Sequence, residues 1–205
     1  RIISGKSALL SEAAEFLHDE SQFQGGIPKA LYFPECTHDV QEIIAEASLS
    51  QTAITFIGAR TGTTGGAVSL DGSFAISFSS MKNILSVTHN NSGSVVLTCE
   101  PGVTLSEINT LLQDPSNYHQ SIPGIEILQK KHYFFPPDPT ESTAQLGGMV
   151  ATNASGARSF RFGATRLYIN NLSLVTANGE LLNIIREQYK MLQDGFHLKT
   201  ESDII

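Results

Sequence analysis

Nine residues constrain this chain more than any others: Gly58-Ala59-Arg60-Thr61-Gly62-Thr63-Thr64-Gly65-Gly66, four glycines and three threonines directly after the apolar run at 53–57. Missing side chains let a loop of this kind turn several backbone NH groups toward one anion, and the hydroxyls of Thr61, Thr63 and Thr64 add donors without charge. The residues before it read as strand, helix, strand. Residues 30–33 form the first strand, Pro34 ends it, and Thr37 caps a helix turning Val40, Ile43, Ile44 and Ala47 inward. Residues 53–57 form the second strand, so the two are expected to be parallel with a right-handed crossover. The glycine spacing fits neither GxGxxG nor the GK[ST] loop of nucleotide hydrolases. Taken alone, the loop supports phosphate binding and a tightly packed turn equally.

Leu9, Leu10, Ala13, Phe16 and Leu17 recur at helical spacing and predict a first helix, closed by the polar stretch at 21–26. Beyond the loop, short strands are expected at 74–78, 84–88 and 94–99, with Asn90-Asn91-Ser92-Gly93 as a hairpin turn. Thr104-Leu105-Ser106-Glu107 is a capping box opening a helix through Leu112. Residues 113–132 read as a long, mobile excursion. Strands at 172–176 and 180–185 flank the turn Ala177-Asn178-Gly179. The expected class is α+β, with a small parallel βαβ lobe over about 1–66 and a larger, mainly antiparallel lobe with flanking helices over about 67–205.

A formal net charge of -7 argues against a nucleic-acid partner. No apolar run reaches the roughly 18–20 residues of a membrane span, and the N-terminus lacks a signal-peptide pattern, so a cytoplasmic location is expected. Cys36 and Cys99 lie far apart, and the six histidines are scattered without ligand spacing. No metal site and no catalytic residue is legible.

A second stretch runs from Pro136-Pro137-Asp138-Pro139 through Thr140, Ser142 and Ala144 to Gly147-Gly148-Met149-Val150-Ala151-Thr152-Asn153-Ala154-Ser155-Gly156. Small residues dominate its second half where a core element would supply bulk, so a large planar cofactor is expected in the space they leave. The alternative is a tightly packed small-residue helix. Arg158, Arg161 and Arg166 read as solvated surface charges.

In this order, the helix after Pro34, the loop at 58–66, Glu100-Pro101-Gly102-Val103, the two segments just quoted, Phe162-Gly163 and Ala177-Asn178-Gly179-Glu180 resemble the FAD-binding domain of the vanillyl-alcohol oxidase (PCMH) type. The resemblance is strongest to the D-subunit of glycolate oxidase and FAD-linked D-lactate dehydrogenases. It implies non-covalent FAD, since Thr61 stands where covalent relatives carry a histidine. The pyrophosphate would rest on Ile57, Gly58, Ala59, Arg60, Thr61 and Gly62. Pro137, Asp138, Thr140, Ser142, Gly148, Thr152, Ala154, Ser155 and Gly156 would line the rest, with Val175 near the adenine.

The resemblance further implies oxidation of a 2-hydroxy acid such as glycolate or D-lactate in the intact protein. The substrate (cap) domain is expected outside this chain, leaving the chain alone inactive. Arg60 departs from the family, which carries a small residue there, and residues 113–132 exceed its usual connection. Three further readings stand beside this one: a flavoenzyme of the same fold with other chemistry, a non-catalytic flavin-binding subunit docking on a partner, and a domain without flavin in which Arg60 fills the pyrophosphate site.

Overall fold

The computed structural model describes residues 1–119, 121–190, 193, 195 and 197–200. The apolar runs of the first third pair as one sheet. β1 (Ile2–Ser4) precedes α1 (Lys6–Glu12), and β2 (Ala30–Tyr32) leads through α2 (Thr37–Leu49) into β3 (Ile54–Ile57). The expected βαβ unit is present, with a strand inserted into it: β4 (Phe74–Ser77) lies between β2 and β3 and is parallel to both. β1 closes the far edge antiparallel to β2.

This corrects the assignment of residues 74–78 to the antiparallel lobe, and the first sheet runs past residue 66. The physical reason is two-sided burial. α2 covers Phe74 and Ile76 with Val40, Ile43, Ile44 and Ala47, while Leu9, Ala13 and Ile57 meet Ala75 on the other face. Each large aliphatic or aromatic side chain so buried contributes about 1.5–3 kcal/mol. A strand buried on both faces loses the apolar alternation that would identify its partner.

Two helix starts and stops also differ from expectation. Cys36, not Thr37, is the N-cap of α2, and its side chain makes no capping bond. The Asp39 carboxylate reaches back instead to the Glu35 NH at 2.8 Å and the Cys36 thiol at 3.3 Å. The first helix breaks at Ala13, whose φ of -142° hands the chain to a 3-10 turn at Ala14–Leu17. The break sets Phe16 edge-on to Phe33 at 5.3 Å and leaves Leu10 exposed.

The second body forms around β5 (Ile84–His89) and β6 (Val95–Cys99), the expected hairpin, and α3 (Leu105–Gln113) with its capping box complete. The stretch expected to be an excursion is packed instead. Ile122 and Leu128 enter the core with Val87, Val103, Ile108 and Leu111, and the Val87 NH donates to Pro123 O at 2.9 Å. Ile122, Ile125, Ile127 and Leu128 fall in one short 3-10 turn at Ile125–Lys130 and its approach, too brief a run for periodicity to stand out from the polar residues around it.

α4 (Leu146–Ala151) and α5 (Ser159–Phe162) follow, then the hairpin of β7 (Asn171–Val175) and β8 (Leu181–Ile185). This hairpin sits on α2: Gln41 Nε2 donates to Gly179 O at 2.9 Å, and Val175 packs against the cluster beneath the helix. Gly179 is required there, with φ of 85° and Ala45 Cβ 3.2 Å from where its own Cβ would stand. Among the described residues, no helix is long and apolar enough to cross a membrane.

Candidate functional site

β3 and β4 end side by side, Ile57 opposite Ser77, so the glycine-rich loop starts at the C-terminal edge of parallel strands, where sheets of this kind bind ligands. A strap formed by residues 15–27 runs alongside it. The Glu20 NH donates to Arg60 O at 3.1 Å, and the Gly26 NH to Ser69 O at 2.7 Å. The Asp71 carboxylate accepts from the Ile27 NH at 2.7 Å. Phe23 lies against Gly65, whose added Cβ would fall 2.7 Å from the ring.

Asp19, buried at 7 % exposure, accepts from the Ser21 NH at 2.9 Å and the Ala67 NH at 3.4 Å. Burial pushes its carboxyl up, but the bonds from Ser21 and Ala67, with His18 nearby, outweigh that and hold it below its ordinary value. None of these contacts follows a sequence period, so the sequence shows here only the end of a predicted helix at Leu17 and the polar stretch at 21–26 that closes it.

The donors of the loop point to no protein partner: among the described residues, the NH groups of 59–66 have no protein acceptor. Gly62 faces open space, and a Cβ on Gly58 would stand 3.5 Å from Gln145 Oε1 and 4.0 Å from Gly148 Cα. Gly148 also faces open space. Gln145 Oε1 is itself buried without a hydrogen bond, a condition that costs about 1–3 kcal/mol until a donor arrives. Sequence reasoning missed Gln145. No sequence signal marks it: Gln145 is the N-cap of α4 and makes no capping bond, and a lone amide before a small-residue helix looks unremarkable until its neighbours are known.

Residues 142–147 are held in place by the segment at 101–106. Leu105 and Ser106 donate to Ala144 O and Ser142 O, each at 2.9 Å. In return, Leu146 and Gly147 donate to Val103 O at 2.7 Å and Pro101 O at 2.8 Å. Gly102 presses on the turn after β4, where a Cβ would meet Phe78 O at 2.2 Å and Met81 O at 2.5 Å. The start of α4 is thereby hung from the same sheet edge as the loop.

The expected site residues fall in distinct places. Ile57 is fully buried, so only its backbone adjoins the loop of Gly58, Ala59, Thr61 and Gly62. Arg60 has a left-handed φ of 62° and pairs its guanidinium with Glu15 at 3.2 Å, with the Phe16 ring centre 4.6 Å away. Pro137 is buried and Asp138 is paired with Arg158 at 3.0 and 3.3 Å, so this arginine is an ion-pair partner rather than a free surface charge.

Thr140, Ser142 and Ser155 are exposed, as is Thr152, whose hydroxyl donates to Gly148 O at 2.8 Å. Ala154 O accepts from the Thr165 hydroxyl at 2.7 Å. A Cβ on Gly156 would lie 1.4 Å from Asp138 O. The vacancy expected from small residues is therefore filled by backbone at Gly156 and open at Gly148. The structure brings Gly58 to Gly148 and Asp138 to Gly156, while Val175 stands on the hairpin seated on α2. An uncharged array of backbone donors, open glycines and one orphaned acceptor fits the pyrophosphate and polar edges of FAD.

A family model described as FAD binding domain matches residues 28–120 and 125–184. The chain is 34% identical over 171 residues to a D-lactate dehydrogenase of Anaerostipes hadrus, covering 83% of this chain and 32% of that protein. It is 29% identical over 164 residues to a D-2-hydroxyglutarate dehydrogenase of Stutzerimonas stutzeri (strain A1501), covering 80% and 31% respectively. The chain thus spans about a third of the length of these relatives. Among solved structures, 6-hydroxy-D-nicotine oxidase of Arthrobacter nicotinovorans shares the fold, with a TM-score of 0.66, 14% identity, and coverage of 92% of this chain and 36% of that one.

Proposed function

Because this chain belongs to the FAD binding domain family and its cofactor is FAD, we propose that it seats the FAD pyrophosphate on the backbone donors of the loop at 58–66, within a protein that oxidises a 2-hydroxy acid. When bound, FAD supplies the two-electron acceptor for hydride removal from the α-carbon of the substrate. The residues of this chain bind and orient. Gly58, Ala59, Thr61 and Gly62 offer NH groups to the phosphates, and Gly148 leaves room for close approach. Gln145 supplies a polar contact, and Pro137, Asp138, Thr140, Ser142, Thr152, Ala154, Ser155, Gly156 and Val175 line the remainder. Binding is non-covalent, with Thr61 offering no imidazole for attachment.

The observation that carries this reading is the run of loop NH groups without protein acceptors, beside the buried, unpartnered Gln145 Oε1. The 2-hydroxy-acid substrate is inferred from relatives named for D-lactate and D-2-hydroxyglutarate. A partner subunit is suggested by the similarity to glycolate oxidase subunit GlcD of Bacillus subtilis (strain 168). Groups that clamp and deprotonate the substrate belong to a cap domain or a partner subunit. Exposed Phe134, Phe160 and Leu167 give such a part an apolar surface to meet. Two separate, unpaired cysteines suit a cytoplasmic setting. The test is to add FAD, remove the excess and record the visible spectrum. Retained flavin released by denaturation is expected, and a folded but colourless protein overturns the reading.

A further inference from the structure

Arg60 is the loop's only cation and occupies a left-handed backbone conformation, φ 62°, that strains any residue with a Cβ. Its contacts all lead to the strap. The guanidinium pairs with Glu15 at 3.2 Å and lies 4.6 Å from the Phe16 ring centre, and Phe16 in turn packs edge-on against Phe33 in the core. Its carbonyl accepts the Glu20 NH at 3.1 Å, one residue from Asp19, which holds the Ala67 NH at the loop's far end. We propose that Arg60 is a positioning residue: it braces the loop on the strap and keeps the loop's NH groups facing outward, without itself binding phosphate. This rests on the FAD reading for its effect on affinity, but not for its effect on the loop.

The two roles open to Arg60 give opposite signs for Glu15. Were the guanidinium a phosphate ligand restrained by Glu15, Glu15→Gln would free it, tighten FAD binding and steepen its salt dependence. As a brace it needs Glu15, so Glu15→Gln and Arg60→Ala both weaken FAD binding. The expected loss for Arg60→Ala is about three- to tenfold, the size of an exposed ion pair plus a ring contact. The double variant is then no worse than the weaker single one, and Arg60→Lys, which keeps the charge and loses the planar stack, falls between Arg60→Ala and wild type.

The companion measurement is amide hydrogen exchange of Glu20, Gly26 and Ala67 in the protein without FAD. Faster exchange at these amides in both single variants supports the brace. Unchanged exchange in Arg60→Ala, or tighter FAD binding in Glu15→Gln, overturns it. If wild type binds no FAD while these amides still respond to Arg60→Ala, the FAD reading fails and the brace stands.

Discussion

The loop at 58–66 and the stretch at 144–156 look alike in sequence, both rich in glycine, small residues and hydroxyls, yet the structure uses their glycines in different ways. In the loop, Gly62 faces open space and Gly58 sits in ordinary contact with Gln145. In the second stretch and the segment beneath it, Gly102, Gly147 and Gly156 are pressed against the carbonyls of Phe78, Met81 and Asp138 or against Pro101. Gly58 and Gly62 leave room for a guest, and the others let the chain approach itself, as does Gly65 at the loop's far end, pressed on the Phe23 ring. Gly148 belongs with Gly58 and Gly62 despite its place in the second stretch.

The strongest way to break this contrast is Gly156→Ala. A Cβ there would meet Asp138 O at 1.4 Å, backbone that cannot swing aside. The variant is expected to lose about 3 kcal/mol or more of stability. A thermal melt within about two degrees of wild type would dissolve the distinction. Gly62→Ala is the opposite experiment, placing a methyl in open space at an ordinary φ. Its melt should match wild type within about 0.5 kcal/mol, while FAD dissociation, followed by flavin absorbance, should rise roughly tenfold.

Gln145→Met sharpens the comparison where the two stretches meet. Removing a buried acceptor without a partner should stabilise the apo protein by about 1 kcal/mol in denaturant titrations and at the same time weaken FAD binding. A loss of both would make Gln145 a scaffold residue.

The smallest effect concerns the loop's clamp. The folded-state pKa of Asp19 lies below its ordinary value of 3.8, so its stabilisation is present above that value and is lost as pH falls through the folded-state pKa. The stability gap between wild type and Asp19→Asn should therefore be widest at neutral pH and close on acidification. A gap that does not change with pH would mean that the charge of Asp19 plays no part.

What the sequence made legible was local. The capping box of α3, the inward face of α2 and both hairpins are written in neighbouring residues and appear as expected. What it concealed was long-range. Nothing in residues 74–77 announces that they insert between β2 and β3, because burial on both faces erases alternation. The strap's contacts, Glu15 to the Arg60 guanidinium and Asp19 to the Ala67 backbone NH, join residues far apart in sequence with no period linking them. The loop itself stood out because glycine density is a local property, and Gln145 did not, because a lone amide gains meaning only once its neighbours are known.

The insertion of β4 beside β3 has a consequence for how this chain can be cut, shortened or grafted. Adjacent parallel strands cannot be joined by a tight turn; the connection must cross from the end of one to the start of the next, usually through a helix. Here residues 58–73 make that crossing without a helix, so the span that carries the binding donors is also the covalent bridge between edge strand β3 and its inner neighbour β4. Trimming it would remove the link that lets β3 and β4 pair in parallel. Ligand preference is therefore open to change by substitution within the span but not by its excision, and an engineer moving the site to another scaffold has to move two strands with it.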